Sequence, residues 1–244
     1  MSVEIEVRDS VSPSAMNKFF GCGAQFRYDK LFEKNLITQI YTEAKEAQLG
    51  TNFHSAIIPS YFEAIPDKPT STEIEEEAKA SFEANFDNSL WSQEKTARQI
   101  LANFILFEKQ RAKTWPRYKP DFMERRFSTK DFTGIIDFYC DGVIIDWKTG
   151  GSLEMNHDLM RQGRTYRYFI EDVEKLPFKK VIFPALQIGK VLELPSITLG
   201  WLQEERRRFL SLVSSGQFTP NRSFRCKWCP YILRCFNEGI SLWD

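Results

Sequence analysis

Two aspartates and a lysine lie on a predicted β-hairpin near the middle of the chain. The dipeptide Asp141-Gly142 is a strong signal for a two-residue turn between antiparallel strands. In the resulting register Asp137 lies opposite Asp146, and Lys148 shares the face of Asp146 because side chains alternate along a strand. Two like charges directly opposite each other are destabilising unless a cation lies between them. The hairpin therefore predicts a divalent metal site formed by carboxylates, with a lysine beside it.

The other face of the hairpin is apolar, which indicates that this face packs in the core. The alternative for the two aspartates is an exposed strand pair whose carboxylates are solvated by water. Cys140 is predicted to be a small buried apolar residue of the core face, together with Ile136, Phe138, Val143, Ile145 and Trp147.

Four of the five cysteines have a spacing that suits a metal centre. Cys226, Cys229 and Cys235 follow the pattern C-x2-C-x5-C, and Cys22 stands far upstream. In a reducing compartment an odd number of cysteines argues against disulfides and for ligation by four thiolates. Zinc is the chemical alternative to a cluster, but zinc sites usually pair two short C-x2-C elements. The arrangement of one cysteine plus three favours a cluster that joins the two ends of the chain.

The composition is that of an ordinary globular protein. The chain has 244 residues, of which 42% are hydrophobic and 27% charged, enough for one sizeable core. Basic and acidic residues both number 33, so a DNA-binding surface would need local segregation of charge. The sequence shows no signal-peptide pattern, no apolar run of membrane-spanning length and no G-x4-G-K-[ST] nucleotide loop. A cytoplasmic protein is the expectation.

The elements that must position these residues are mostly helical before the hairpin and mixed after it. This order indicates an α/β fold with a mixed sheet and a helical N-terminal part. Helical spacing places His54 on the edge of an apolar face, and Pro59 is a predicted kink in the same helix. Helices are predicted over 12–32 (carrying Cys22), 43–65, 92–113, 153–174 and 201–213, and strands over 122–127, 132–140, 143–149, 181–189 and 191–199.

The hairpin sequence resembles the signature of PD-(D/E)xK nucleases, specifically of their RecB-like branch. The run G-x2-D-x8-D-W-K-T-G over residues 134–150 matches that branch throughout. A further motif of the branch, Q-x3-Y on the next helix, is present as Gln162 and Tyr166, whose spacing puts both on one helical face. The histidine that follows a glycine in the branch is matched by Gly50-x3-His54.

The resemblance implies a restriction-endonuclease-like mixed central sheet flanked by helices. A packed core histidine is the alternative for His54, and an exposed strand carboxylate is the alternative for Glu124, which resembles a weaker glutamate of the family. The implied catalytic residues are Asp137, Asp146, Lys148, Gln162 and Tyr166, and the implied ligands of Mg2+ or Mn2+ are His54, Asp137, Asp146 and the backbone carbonyl of Trp147.

The cysteine pattern resembles that of iron-sulfur nucleases of the AddB type and of CRISPR-associated RecB-like exonucleases. In these proteins four cysteines bind a [4Fe-4S] cluster, and the resemblance extends from about Ser12 to Cys235. It implies that the cluster ligands are Cys22, Cys226, Cys229 and Cys235. The predicted organisation is a single nuclease domain over 1–244, with an iron-sulfur subdomain (12–35 plus 217–240), a helical region (36–115) and a nuclease core (120–213).

The implied activity is that of a metal-dependent deoxyribonuclease, an exonuclease acting on single-stranded DNA. The expected partners are DNA and proteins of recombination, repair, phage replication or CRISPR adaptation, and oligomerisation is compatible with the sequence. Two other classes stay open, a non-catalytic DNA-binding or assembly subunit and an iron-sulfur redox sensor. Arg161, Arg164 and Arg167, with Arg206 to Arg208, are candidates for a basic track along DNA, with a solvated helix face as the alternative.

Overall fold

The computed structural model describes residues 10–34, 45–194, 199–223, 226–227 and 229–238. Predictions that concern other positions, including parts of the 36–115 and 217–240 ranges, lie outside the described residues. The chain divides into two compact units, each discontinuous in sequence. The first comprises Met1–Thr42, Ser128–Gly134 and Thr198–Asp244, and the second comprises Glu43–Phe127 and Ile135–Ile197.

The described elements are helical before β1 and mixed strands and helices after it, as the sequence predicts for a mixed α/β fold. The helices are α1 Pro13–Gly21, α2 Gly23–Glu33, α3 Lys45–Asn52, α4 Ile58–Ala64, α5 Ser71–Asn85, α6 Glu94–Thr114, α7 His157–Arg167, α8 Gly200–Ser214 and α9 Ile232–Asn237. The strands are β1 Phe122–Ser128, β2 Thr133–Cys140, β3 Val143–Ile145, β4 Lys180–Ala185 and β5 Lys190–Glu193. None of the helices among these residues is long and apolar enough to cross a membrane.

A five-stranded mixed sheet has the order β1-β2-β3-β4-β5, in which β3 and β4 are parallel. The predicted hairpin register is confirmed, since Cys140 pairs with Val143 and Phe138 with Ile145. The turn has positive φ at Asp141 (48°) and Gly142 (87°), the conformation that makes Asp-Gly favourable there. Strand β3 is shorter than predicted.

The main core of the second unit lies between the apolar face of the hairpin and helices α4 to α6. Phe62 of α4 and Phe104 of α6 both contact Trp147, with ring centroids 6.0 and 6.1 Å apart. Phe138 packs against Trp147 edge to face, and Cys140 is buried in the same core as predicted. Because the apolar face of the hairpin packs in this core, the face that carries the aspartates points away from it.

The predicted helix over 43–65 is not a uniform α-helix in its described part. A π-helical segment, Phe53–Ile57, separates α3 from α4, and the N–H of Ile58 donates to the carbonyl of Phe53, five residues back. Pro59 follows directly and has no N–H for a bond to residue 55, so the helix changes its hydrogen-bonding pattern before the proline. Such π segments are frequent at functional sites, and this one contains His54.

Two other predicted helices begin or end elsewhere. The helix predicted from residue 153 starts at His157, because Asn156 caps it by accepting a hydrogen bond from the Leu159 N–H (3.0 Å). The helix predicted to carry Cys22 is two helices, with Cys22 in an extended conformation between them. The break arises because the Gly23 N–H donates to the carbonyl of Thr219 (3.0 Å) instead of to a helical carbonyl.

Candidate active site

Asp137 on β2 and Asp146 just beyond β3 lie beside an open cleft of about 400 Å³ in the second unit. Both are buried, at 9% and 2% exposure. The N–H groups of Asp146 and Lys148 donate to the carbonyls of Ile182 and Pro184, so strand β4 holds this segment in place. The cleft is lined by His54, Asp137, Asp146, Trp147, Lys148, Thr149, Gly150, Ser152, Leu153 and Gln162.

Four side chains, one of them that of Asp146, form a closed ring of polar contacts. Lys148 Nζ lies 2.7 Å from Asp146 Oδ1 and donates to Gln162 Oε1 at 2.9 Å. Gln162 Nε2 donates to the Tyr166 hydroxyl (2.6 Å), which donates to Asp146 Oδ2 (2.9 Å). Burial and the adjacent Asp146 carboxylate raise the pKa of Tyr166, so its hydroxyl stays protonated as a donor. The four predicted residues are therefore brought together and orient one another.

His54 and Glu124 approach the other aspartate. Among the residues that the structure describes, His54, Glu124 and Asp137 form a group whose ligand atoms all lie within 4.8 Å of one another. His54 Nδ1 is 3.1 Å from Asp137 Oδ2. Glu124 has a positive φ of 45° inside β1, an uncommon backbone conformation for a residue with a side chain. Such strained positions cluster at functional sites.

The titratable groups of this cleft are perturbed in the directions expected for crowded negative charge. Burial and the charge of Asp146 raise the pKa of Asp137. Burial and the charge of Asp137 raise the pKa of Glu124 to about 7. Burial lowers the pKa of His54, but the surrounding carboxylates, chiefly Asp137, outweigh burial and raise it to about 9. The protein groups of this cleft therefore do not by themselves neutralise the negative charge of its carboxylates.

These side chains fit a divalent cation. Asp137 Oδ2 is buried and, in the described part of the chain, accepts no hydrogen bond of proper geometry, despite the nearby His54 ring. Buried carboxylate oxygens without a partner are costly, and a metal ion would satisfy this one. Carboxylates suit Mg2+, and an added imidazole suits transition metals such as Mn2+. Trp147 is among the residues that line the cleft, and it is buried in the core of the second unit.

The arginines predicted to contact DNA do not form an exposed row on α7. Arg161 and Arg164 are buried, at 2% and 7% exposure. Arg161 pairs with Asp158 at 3.1 Å, and Arg167 pairs with Glu171 at 2.5 Å. Their role in nucleic-acid binding stays a prediction that burial does not favour. The amphipathic pattern of α7 did not reveal which face is covered.

Four cysteines line one small cavity in the first unit, whereas Cys140 lies apart in the core of the second. The cavity is formed by Cys22, Cys226, Cys229 and Cys235 with five neighbouring residues. Burial, followed by the charges of the neighbouring thiolates, raises the pKa of Cys229 to about 11 although a backbone N–H opposes this. Four thiolates would need a cationic partner there.

The sequence gives a weak signal for Glu124 and none for some residues that line the cleft. Glu124 resembles a glutamate of the family, but strand periodicity does not distinguish it from an exposed carboxylate. Thr149, Ser152 and Leu153 line the cleft from the loop that follows Lys148. His157, the second histidine, is exposed and does not belong to the ligand group.

The comparison with known proteins covers nearly the whole chain at the family level. The profile of the PD-(D/E)XK nuclease superfamily matches residues 10–236. No curated protein matches the sequence significantly. The matched range includes every residue of the cleft and all four cysteines of the cavity. With more than half of its length matched, the chain belongs to the PD-(D/E)XK nuclease superfamily.

Proposed function

We propose that this protein is a metal-dependent deoxyribonuclease that degrades single-stranded DNA from an end, in the RecB-like iron-sulfur branch of its superfamily. The observation that carries the nuclease activity is the buried pair Asp137 and Asp146 with Lys148 beside them in one open cleft. Superfamily members are generally nucleases that use divalent metals. The preference for single strands and for ends rests on the sequence resemblance.

The proposed metal ligands are Asp137, Asp146, His54 and the Trp147 carbonyl, with Glu124 as an additional carboxylate. When bound, a divalent ion lowers the pKa of water and offsets charge on the phosphate under attack. Because His54 and Glu124 hold protons more strongly than usual in the metal-free cleft, metal binding displaces protons from them.

Lys148 has the central chemical role in this proposal. Its ammonium group is held by Asp146 and Gln162, so it points into the cleft from a fixed position. From there it orients the attacking water and offsets negative charge that develops on the phosphate. Gln162 and Tyr166 hold Lys148 and Asp146 in place, and the buried Tyr166 hydroxyl donates to an Asp146 oxygen.

The cysteine cavity is proposed to hold a [4Fe-4S] cluster. All four cysteines line one cavity in the described part of the chain. Zinc sites usually pair two short C-x2-C elements. The arrangement of one distant cysteine plus three clustered in sequence therefore favours a cluster bound by four thiolates. The cluster would be structural, joining N- and C-terminal segments in an iron-sulfur subdomain of a single nuclease domain.

The nuclease proposal is tested with end-labelled single-stranded and duplex DNA in Mg2+ or Mn2+, after anaerobic purification. We expect metal-dependent release of nucleotides from one end of single strands, and loss of that activity in Asp146→Ala. A non-catalytic subunit would bind DNA without cleaving it. A redox sensor would retain its function in Asp146→Ala and change it with the oxidation state of the cluster.

The cluster proposal has an independent test in the visible spectrum. The anaerobically purified protein should be brown and contain four irons per chain, and Cys229→Ser should lower the iron content. The matched control is Cys140→Ser, because this thiol is buried in the other unit. Stoichiometric zinc with no visible absorption would contradict the cluster.

A further inference from the structure

A glycine on the helix of His54 touches the residue that follows Lys148. Gly50 is buried in α3, and a β-carbon built on it would lie 2.6 Å from Thr149 Oγ1. Carbon and oxygen atoms that are not bonded have their optimum near 3.5 Å. A side chain at position 50 therefore requires either the helix or the Thr149 hydroxyl to move.

The contact lies one helical turn from the metal-ligand group. Gly50 of α3 and His54 of the π-helical segment are four positions apart, about one turn along the same helical stretch. Gly50 faces Thr149, and His54 faces Asp137 at 3.1 Å. The helix thus contacts the hairpin region at two points, Gly50 against Thr149 and His54 against Asp137. The closeness of the Gly50 contact limits how near His54 can come to Asp137.

The Thr149 side of the contact cannot easily retreat. The preceding residue, Lys148, donates its N–H to the Pro184 carbonyl, and its own carbonyl accepts from the Leu186 N–H, both at 2.8 Å. Threonine is also stiff about its first side-chain torsion, so the hydroxyl has few alternative positions. A larger side chain at position 50 is therefore expected to displace the helix rather than Thr149.

We propose that Gly50 is a positioning residue for the metal site: its close contact with Thr149 sets the distance of His54 from Asp137 and hence the affinity for the divalent ion. The inference rests on the proposed metal-dependent function and concerns the same cleft. Gly50 touches neither metal nor DNA in this role and acts through His54.

The expected effect of Gly50→Ala follows from the distances. Restoring an ordinary contact requires a displacement of about 1 Å. Metal sites tolerate deviations of only about 0.2 Å in ligand distance, and a 1 Å misplacement can cost about 100-fold in activity. Alanine is the better helix former, so the helix itself is not weakened by the substitution. We expect the dissociation constant for Mn2+ to rise 10- to 100-fold.

The test compares four variants by Mn2+ titration without DNA, followed by electron paramagnetic resonance, with cleavage and thermal unfolding measured in parallel. Gly50→Ala should bind weakly. The double variant Gly50→Ala/Thr149→Ala, which removes the obstructing hydroxyl, should return to within about threefold of Thr149→Ala. Gly200→Ala is the matched control, because a β-carbon on this helical glycine of the first unit meets no atom within 4 Å.

Each outcome decides the matter. Gly50→Ala that binds Mn2+ as tightly as the unchanged protein overturns the inference, and so does a double variant no better than Gly50→Ala. Should Gly50→Ala fail to fold, the folded double variant must still match Thr149→Ala. Unchanged protein that binds no Mn2+ refutes both the inference and the metal-dependent function. Tight Mn2+ binding with the expected rescue but no DNA cleavage supports the positioning role and refutes only the proposed activity.

Discussion

Replacing Tyr166 by phenylalanine removes a single oxygen atom from the ring of contacts around Asp146. The Tyr166 hydroxyl donates to Asp146 Oδ2 at 2.9 Å and accepts from Gln162 Nε2 at 2.6 Å. Both Tyr166 and Asp146 are buried, so water cannot replace the lost donor without rearrangement. The substitution leaves the aromatic ring and its packing in place.

The magnitude follows from the charge on the acceptor. A hydrogen bond to a charged group contributes about 1.5–3 kcal/mol, which corresponds to about 10- to 150-fold in an equilibrium constant. Loss of a group that orients a metal ligand typically costs 10- to 100-fold in metal affinity. We therefore expect Tyr166→Phe to weaken Mn2+ binding 10- to 100-fold, and cleavage at limiting metal to fall in parallel.

The matched control is Tyr139→Phe in the same unit. Tyr139 is also buried, and its hydroxyl donates to the neutral carbonyl of Pro177 at 2.7 Å, away from the ligand group. Its removal should cost about 0.5–1.5 kcal/mol of unfolding free energy and leave metal affinity unchanged. Calorimetric Mn2+ titration measures the affinities, and urea unfolding measures the stabilities. If Tyr166→Phe binds Mn2+ within twofold of the unchanged protein, the ring does not orient Asp146 and the reasoning is wrong.

Three further predictions concern the same unit. Lys148→Ala should lower the single-turnover cleavage rate at least about 100-fold while Mn2+ and DNA affinity change little, and cleavage at the normal rate would remove Lys148 from the chemistry. The pKa is raised from 4.5 to about 7 for Glu124 and from 6.5 to about 9 for His54. Between pH 4.5 and 9 the folded metal-free protein therefore binds more protons than the unfolded chain. Its stability in urea should therefore fall as pH rises across that window, and saturating Mn2+ should reduce the slope. Arg111→Met should cost about 3–5 kcal/mol because it leaves the buried Glu108 carboxylate unpaired, whereas Arg111→Met/Glu108→Leu should cost much less in the same urea assay.

The sequence was sufficient for the hairpin because local chemistry determines its register. Asp-Gly specifies the turn, and alternation then assigns each following side chain to a face, so the neighbourhood of Asp146 and Lys148 could be predicted from a few residues. The mixed α/β fold followed from the order of helical and strand periodicities. Gln162 and Tyr166 were predictable on one helical face, although nothing local indicated which atoms they contact.

The features of the fold and the site that the sequence did not predict depend on contacts between segments distant in sequence. Burial of Arg161 and Arg164 is a property of what packs against α7, which a charge pattern does not encode. Glu124 belongs to the ligand group and has a positive φ inside β1, and strand periodicity predicts neither. The interruption at Cys22 arises from a hydrogen bond between Gly23 and Thr219, at the opposite end of the chain.

The discontinuity of the first unit determines when its parts can meet during synthesis. The second unit is complete once Ile197 has left the ribosome, so the cleft can form while the C-terminal segment is still being made. The other three cysteines are synthesised about 200 residues after Cys22, which at 5–20 residues per second takes about 10–40 s. During that time Cys22 has none of the other three cysteines of the cavity beside it. Any metal or cluster bound by all four cysteines can therefore be inserted only after Cys235 has been synthesised, when the whole second unit is already available to fold.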